Sequence, residues 1–275
     1  MVPVVSNRPE AWLGRVFADG NRGGNHTVVV ADGGTVAGPA AEAARLGVPD
    51  TAYVISRDSE EIVLRTFSPV EELAQCLQTS LAVLTALDVP VGAPQRVRHA
   101  GAQPLVVVRE PDLTWAHETS PAAPDLEAVA KPSCLPVDLV PGTAPVVLRQ
   151  ARSRLHLRCA DVDQLERLEL ASSDVLDLCA QFQIAGVVLW ASSSSEERVR
   201  VFTSSLSGAE DSATGGAVLG VGILALDAGT RGDLSVRQGP PDPDRQGLLW
   251  LRLRDDGCVL LGGAVQSLMS GELLL

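Results

Sequence analysis

The feature that most constrains the fold is an order of predicted elements that occurs twice along the 275 residues. Residues 52–67 predict a strand, a polar turn and a second strand, and residues 187–202 predict the same order. In each half a loop then runs from a phenylalanine to a threonine at the same distance, where a helix is expected to begin: Phe67 to Thr79, and Phe202 to Thr214. This internal duplication predicts two similar α+β lobes, whose equivalent helix starts could face each other across a cleft.

The remaining elements support one division of the chain. Short apolar, β-branched runs predict strands at 27–31, 52–56, 61–67, 105–109, 187–191, 198–202, 248–254 and 258–262. Patterns of helical period lie at 38–47, 70–87, 162–182 and 215–228. Six prolines close together near the middle of the chain break any period. We therefore predict an N-terminal lobe at 1–122, a linker at 123–145 and a C-terminal lobe at 146–262, with 263–275 as a segment that could pack back on the first lobe.

Composition argues against several classes of protein. Hydrophobic residues make up 45% of the chain, enough for a substantial core, so a disordered or fibrous protein is not expected. A formal net charge of −12 without a Lys/Arg-rich run argues against a nucleic-acid partner. Five scattered cysteines without a CxxC pair, and four separated histidines, predict neither a metal site nor a disulfide framework. Because the N-terminus lacks a signal-peptide pattern and the longest apolar run is too short to span a bilayer, we expect a cytoplasmic location and no membrane contact.

Two apolar helices begin with residues that suit the binding of an anion. Thr79 and Ser80 open the first helix, where hydroxyls satisfy free N–H groups, and Thr214 opens the second. Gly215 and Gly216 then let a ligand approach the backbone closely. Taken alone, each start is more typical of a capped core helix, and no lysine follows the glycines as a nucleotide-binding loop requires. The pairing of two starts, each with exposed amides at the positive end of a helix dipole, favours a small anionic substrate.

An acidic pair, Glu210 and Asp211, stands just before the second of these helices. A carboxylate near a helix N-terminus is stabilised as the anion, which suits either a cap or a proton carrier. Repulsion from Glu210 is expected to raise the pKa of Asp211. The residues alone leave capping and catalysis open.

Five motifs, in chain order, resemble those of one protein family. They are RVFADGNRGGNHTVVV, LGVPDTAYV, TFSPVEELAQCLQTSLA, EDSATGGA and the tail from QGPPDP through LLGGAVQSLMSGEL. The chain resembles the PhzF-like isomerases of phenazine biosynthesis, within the diaminopimelate-epimerase-like fold. That resemblance implies two lobes, each a curved, barrel-like mixed β-sheet around a central helix, with the active site between them. It also implies cofactor-free proton transfer on a small carboxylate substrate and pairing into a homodimer, which the residues themselves do not decide.

The resemblance assigns roles to residues, and this sequence departs from the family at several of them. Asp50 stands where the family has the glutamate that moves the proton, and Gln78 stands where it has a histidine, whereas Asp211 is kept. The candidate catalytic residues are therefore Asp50, Asp211 and Gln78, with Asp50 as the first choice of proton carrier and Asp211 as the second. The candidate substrate-binding residues are Asn25, His26, Leu77, Thr79, Thr214, Gly215 and Gly216.

Cysteine placement bears on a related chemistry. The related epimerases and proline racemases use one cysteine at each helix start. Here Cys76 lies near the first start, but no cysteine lies near Asp211 in the sequence, which argues against a two-thiol racemase. Cys76 is expected to be a small packing residue.

The leading hypothesis is a cofactor-independent isomerase that moves a C=C or C=N bond by proton transfer in a small cyclic carboxylic acid of secondary metabolism. A pyrroline carboxylate with a conjugated side chain would suit this chemistry, because deprotonation yields a delocalised anion. Some members of the family with divergent sites act in 4-alkyl-L-proline formation of the lincomycin type, an antibiotic pathway. Two alternatives stay open: a binding protein that kept the fold and lost the chemistry, and an epimerase of an amino acid.

Overall fold

The computed structural model describes residues 9–100, 102–118, 123–193 and 196–274. Parts of four predictions lie outside these residues: the N-terminal start at 1–8, the end of the first lobe at 119–122, the middle of the second polar turn at 194–195, and the last residue of the segment 263–275.

The described part of the first half contains nine strands and two α-helices. In chain order they are β1 (Glu10–Val16), β2 (Asn25–Val30), α1 (Pro39–Leu46), β3 (Asp50–Arg57), β4 (Glu61–Phe67), β5 (Glu72–Leu73), α2 (Leu77–Ala86), β6 (Gln95–His99), β7 (Leu105–Arg109), β8 (Thr114–Glu118) and β9 (Asp125–Ala128).

The described part of the second half contains nine strands and three α-helices. They are β10 (Val146–Arg149), β11 (Arg154–Arg158), α3 (Val162–Glu166), α4 (Ser172–Phe182), β12 (Gly186–Ser192), β13 (Glu197–Thr203), β14 (Glu210–Asp211), α5 (Gly215–Asp227), β15 (Gly232–Gln238), β16 (Gly247–Leu253), β17 (Val259–Gly263) and β18 (Val265–Glu272). Each run that was predicted to be a strand is one.

Strand pairing repeats between the halves, which confirms the α+β class and the predicted duplication. In the first half β2 pairs parallel with β3, β3 antiparallel with β4, and β4 parallel with β6. In the second half β11 pairs parallel with β12, β12 antiparallel with β13, and β13 parallel with β15. Each parallel pair is separated in sequence by one or more helices, as a parallel connection requires.

The two halves exchange their last strands. β18 pairs antiparallel with β1, β9 pairs antiparallel with β10, and β8 pairs with β17, so the eighteen described strands form one continuous sheet. Residues 123–145, which we expected only to connect the halves, therefore contribute a strand to the second one. They also bury Leu135 and Val137 in the hydrophobic cluster beneath α3 and α4.

The helices α2 and α5 are the buried centres of the two halves. Both are apolar on nearly every side, and side chains such as Leu81 and Val218 are fully buried in one cluster with the inner side chains of the sheet. A helix that is hydrophobic all round is stable only when it is surrounded in this way. Among the described helices, none is long and apolar enough to cross a membrane.

Two helices differ in length from their predictions. The first central helix begins at Leu77 rather than at residue 70, because Glu72–Leu73 is the short strand β5, paired with β4. The pattern at 162–182 is two helices, α3 and α4, instead of one. The guanidinium of Arg200 donates hydrogen bonds to three backbone carbonyls where α3 ends, so these carbonyls are satisfied without a further helical turn.

The two threonines with equal spacing do not occupy equivalent positions. Thr214 is the N-cap of α5, but the N-cap of α2 is Cys76, and Thr79 lies one turn further along. The loop after β13 contains a 3₁₀ turn, Ser204–Leu206, and the fully described loop after β4 contains none. Equal spacing in the sequence therefore does not give equal position in the fold.

Replacing Gly220 with alanine will destabilise the protein, although alanine is the better helix former. A β-carbon at this position of α5 would lie 2.6 Å from Cε1 of His156 and 3.1 Å from Cδ2 of Leu148. Overpacking a dense core costs about 1–3 kcal/mol. The higher helix propensity of alanine over glycine offsets only about 1 kcal/mol of this cost. We expect a net loss of about 1 kcal/mol in the free energy of unfolding, measured by chemical denaturation.

A double-mutant cycle identifies the source of that loss. In a protein that already carries His156→Ala, the additional Gly220→Ala change will destabilise less, because the side chain in contact has been removed. An equal loss in both backgrounds would contradict the predicted clash.

Candidate active site

A small pocket lies where the starts of α2 and α5 meet. The helices approach so closely that a β-carbon on Gly215 would lie 2.9 Å from the β-carbon of Leu77. The pocket has a volume of about 60 Å³. All three candidate catalytic residues line it: Asp50, Gln78 and Asp211.

The pocket receives backbone N–H groups from both helix starts. Within the described chain, the amides of Leu77, Gln78, Gly215 and Gly216 have no hydrogen-bond acceptor, and neither helix has a side-chain cap. Free amides at the positive end of a helix dipole favour a carboxylate or another anion.

The hydroxyls at the start of α2 do not cap that helix as predicted. Thr79 and Ser80 donate to the carbonyl of Cys76 at 3.2 and 2.8 Å, and Ser80 also contacts Nε2 of His99 at 2.9 Å. Thr79 is fully buried against Thr66, with 3.0 Å between the hydroxyl oxygens. Thr79 is therefore a core residue away from the pocket, and the first amides of the helix stay open.

Asp50 begins β3 and presents its carboxyl to the pocket. Among the described residues, the side chain has one hydrogen bond, from the thiol of Cys76 to Oδ2 at 3.4 Å. Burial and the negative charge of Asp211 raise the pKa of Asp50 to about 7, against the opposing effects of the Cys76 hydrogen bond and of Arg152. A carboxyl with a pKa near neutrality and so few partners can both accept and return a proton.

Cys76 does more than pack, contrary to the sequence-based expectation. It lines the pocket as the N-cap of α2, and burial together with the charge of Asp50 raises the pKa of its thiol. The thiol therefore stays neutral and acts as the hydrogen-bond donor that orients Asp50.

Asp211 is held in place by several donors. Nδ2 of Asn25 donates to Oδ1 at 2.6 Å, the hydroxyl of Thr214 donates to Oδ2 at 2.6 Å, and the amide of Ala213 donates to Oδ1 at 3.4 Å. Burial raises the pKa of Asp211, and these three hydrogen bonds oppose that rise. Asp211 is thus fixed as an acceptor, whereas Asp50 is comparatively free.

Glu210 does not act on Asp211, so the predicted repulsion between them is wrong. Its carboxylate forms two hydrogen bonds with the guanidinium of Arg200, and the two side chains are only 11% and 6% exposed. Adjacent residues of a strand point to opposite faces, and β14 places Glu210 and Asp211 in this way.

Gln78 acts through Asn25. Its Oε1 accepts from Nδ2 of Asn25 at 3.3 Å, while its Nε2 donates to the hydroxyl of Thr27 at 2.6 Å and to the carbonyl of His26 at 3.3 Å. A chain of hydrogen bonds therefore runs from Gln78 through Asn25 to Asp211, from one half of the protein to the other. Gln78 is a positioning residue for Asp211.

The predicted substrate contacts are only partly brought together. Four of them line the pocket: Leu77, Thr214, Gly215 and Gly216. Asn25 lies behind Asp211, and His26 is exposed on the opposite face of β2 because side chains alternate along a strand. Within the described ranges, no group of three or more His, Cys, Asp or Glu side chains is placed to hold a metal ion.

Two arginines that the sequence analysis missed also line the pocket. Nη2 of Arg152 binds Glu71 of the other half at 2.9 Å, and Arg154 is only 4% exposed. Burial and the neighbouring Arg152 lower the pKa of Arg154 to about 9. The internal repeat could have identified both arginines. When β11 is aligned with β2 through the strands with which they pair, Arg152 and Arg154 fall at the positions of Asn25 and Thr27.

No protein-family model and no curated protein matches the sequence. Solved structures match over nearly the whole chain. A predicted epimerase from Pseudomonas aeruginosa has a TM-score of 0.78 at 23% identity, covering 97% of this chain and 99% of that one. A PhzF-family phenazine biosynthesis protein from Enterococcus faecalis has a TM-score of 0.77 at 19% identity, with 98% and 100% covered. A probable proline racemase from Agrobacterium radiobacter has a TM-score of 0.59 at 12% identity, with 97% and 93% covered. The chain therefore has the fold of the PhzF-family phenazine biosynthesis proteins, which the probable proline racemase also shares.

Proposed function

We propose that the protein is a cofactor-independent isomerase that moves a C=C or C=N bond in a small cyclic carboxylic acid by proton transfer through Asp50. The observation that carries the proposal is the setting of Asp50: a carboxyl in a small pocket, with a pKa of about 7 and one hydrogen bond, beside two helix starts with open amides. Proteins of the same fold that are named as a predicted epimerase and a probable proline racemase support an isomerase class.

The chemistry follows from these groups. The substrate carboxylate accepts hydrogen bonds from the N–H groups at the starts of α2 and α5. These hydrogen bonds stabilise the negative charge that develops when the adjacent C–H bond breaks. Ionised Asp50 takes that proton, and the electron pair spreads along the conjugated system. Protonated Asp50 exchanges that proton with solvent and then delivers one to the far carbon, so the double bond moves and Asp50 regains its starting state.

Proton exchange with solvent tests the proposal. Pyrroline carboxylates with an unsaturated side chain are incubated with the protein in deuterated water and followed by NMR. We expect deuterium to enter at a carbon conjugated with the ring and the double bond to change position. Binding without any exchange would instead indicate a protein that has kept the fold and lost the chemistry.

One observation favours a second candidate function, an amino-acid epimerase. Asp50 and Asp211 both line the pocket, so two carboxyls could act on opposite faces of one carbon. The same NMR experiment separates the two functions, because an epimerase incorporates deuterium at the original carbon with inversion and leaves every bond order unchanged.

The exchange rate will rise with pH through about 7 and level off above it. Only ionised Asp50 can take a proton, and burial together with Asp211 raises its pKa to about 7. In Asp211→Asn the midpoint will move to lower pH, because one cause of the raised pKa has been removed. Profiles of deuterium incorporation measure both midpoints. A flat wild-type profile over roughly pH 5 to 9 would contradict the role of Asp50.

A further inference from the structure

Arg154 is a buried cation that forms no direct ion pair in the described chain, although the nearby carboxylate of Asp211 attracts it. Its Nη1 donates to the carbonyl of Arg152 at 2.8 Å, whereas its Nε is buried with no hydrogen-bond partner among the described residues, and no described carboxylate lies within 4.0 Å of the guanidinium. A charged group that is buried without a partner strongly destabilises a protein, so such a group is expected to meet its partner in a ligand.

The guanidinium faces the pocket beside the start of α5. A β-carbon on Gly216 would lie 3.1 Å from its Nη1 and 3.6 Å from its Nη2, so glycine at this position makes room for the arginine. The other pocket arginine, Arg152, already has its anion in Glu71 at 2.9 Å. Arg154 is therefore the pocket cation, among the described residues, that is available to a substrate.

One carboxylate cannot use all the donors of this pocket. A carboxylate has two oxygens and about four acceptor sites. The four open amides of α2 and α5 already match that number. The free N–H groups of Arg154 are additional to them and carry a full positive charge.

We propose that the substrate is a dicarboxylic acid, whose second carboxylate binds Arg154 while the first binds the amides of the two helix starts. This inference rests on the proposed function for the position of the first carboxylate. Asp50 and Asp211 line the same pocket as these two anchors, so a second anchor would fix which carbon meets Asp50.

Binding of matched unreactive acids tests the proposal without any turnover. Cyclopentanecarboxylate is compared by calorimetry with the cis-1,2- and cis-1,3-dicarboxylates of the same ring, and butyrate with succinate and glutarate, at constant ionic strength. A charge-assisted contact predicts that at least one dicarboxylate binds about tenfold to a hundredfold more tightly than its monocarboxylate. Equal affinities, or no detectable binding of any dicarboxylate, would overturn the proposal.

Variants then locate the second carboxylate. Arg154→Met will remove the advantage of the dicarboxylate and leave the affinity for the monocarboxylate within about twofold, while Arg154→Lys will keep part of the advantage. Arg158→Met is the matched control, because Arg158 lies on the same strand against Trp190 and outside the pocket, and it will change neither affinity. If Arg154→Met weakens both ligands equally, Arg154 binds the first carboxylate and the proposal is wrong. If that variant does not fold, the wild-type comparison and Arg154→Lys decide the question.

The outcomes separate this proposal from the proposed function. Asp50→Asn will retain the preference for dicarboxylates, because Asp50 is not an anchor. A preference for dicarboxylates without proton exchange in any acid would contradict the isomerase and support the second anchor. Proton exchange without a preference for dicarboxylates would support the isomerase and contradict the second anchor.

Discussion

Replacing Asp50 with asparagine will lower the rate of deuterium exchange by about 10²–10⁴-fold, the usual contribution of a general acid–base group. Asparagine has nearly the same shape and still accepts the hydrogen bond from Cys76, but it cannot take up a proton at neutral pH. The carboxyl of Asp211 is poorly placed to substitute, because it is held by Asn25, Thr214 and Ala213. Single-turnover exchange followed by NMR, in wild type and variant at the same pH, measures the loss.

A stability measurement shows whether the loss is catalytic. The native pKa of Asp50, about 7, lies above its ordinary value of 3.8, so the unfolded chain releases this proton at lower pH than the native protein. Ionisation of Asp50 therefore opposes folding increasingly between about pH 4 and pH 7, and fully above pH 7. Asp50→Asn lacks this penalty and will be at least as stable as wild type above pH 7. Loss of exchange in Asp211→Asn, with exchange kept in Asp50→Asn, would identify Asp211 as the proton carrier.

The repeated backbone carries a site that is not symmetric. By strand pairing, Asp50 at the start of β3 corresponds to Gly186 at the start of β12, and a β-carbon on Gly186 would collide with the carbonyl of Phe202. The second half therefore cannot present an acid at this position. The second half instead contributes Arg152 and Arg154 to the pocket. The proton carrier therefore comes from the first half and the positive charge from the second.

Much of this arrangement could be predicted from the sequence, because it depends on local patterns. Alternation and turn residues identified the strands, and two apolar helices with small residues at their starts identified the pocket. The resemblance to a known family singled out Asp50, Gln78 and Asp211, and all three line the pocket, Asp50 from the start of β3 and the other two from beside the two helix starts.

What could not be predicted depends on register and on contacts between the halves. Side chains alternate between the two faces of β2, and the motif does not specify on which face His26 lies. The bond between Asn25 and Asp211 joins residues that are far apart in sequence, as does the ion pair between Arg152 and Glu71. The contact of Arg154 with the start of α5 also joins residues far apart in sequence, although the repeat itself places Arg154 at the position of Thr27.

Replacing Glu210 with alanine will lower the free energy of unfolding by about 3 kcal/mol, because removing one partner of a buried ion pair leaves the other uncompensated. Arg200 is 6% exposed and also donates to the carbonyls of Leu165, Glu166 and Leu168, so it cannot turn towards solvent without releasing the end of α3. Those three contacts remain in the variant, which keeps the expected loss near the lower end of the range for such pairs, about 3–5 kcal/mol. Chemical denaturation measures the change.

The duplication supplies a matched control for this prediction. Arg65 and Glu72 form the corresponding pair in the first half, with the same bidentate geometry and the same stacking of the arginine on a phenylalanine, but the two side chains are 41% and 40% exposed. Solvent screens an exposed pair, so Glu72→Ala will lower the free energy of unfolding by at most about 1 kcal/mol. Equal losses in the two variants would contradict burial as the cause. A larger loss at Glu210 would show that the acidic residue beside Asp211 serves the fold, which leaves proton transfer to the carboxyls inside the pocket.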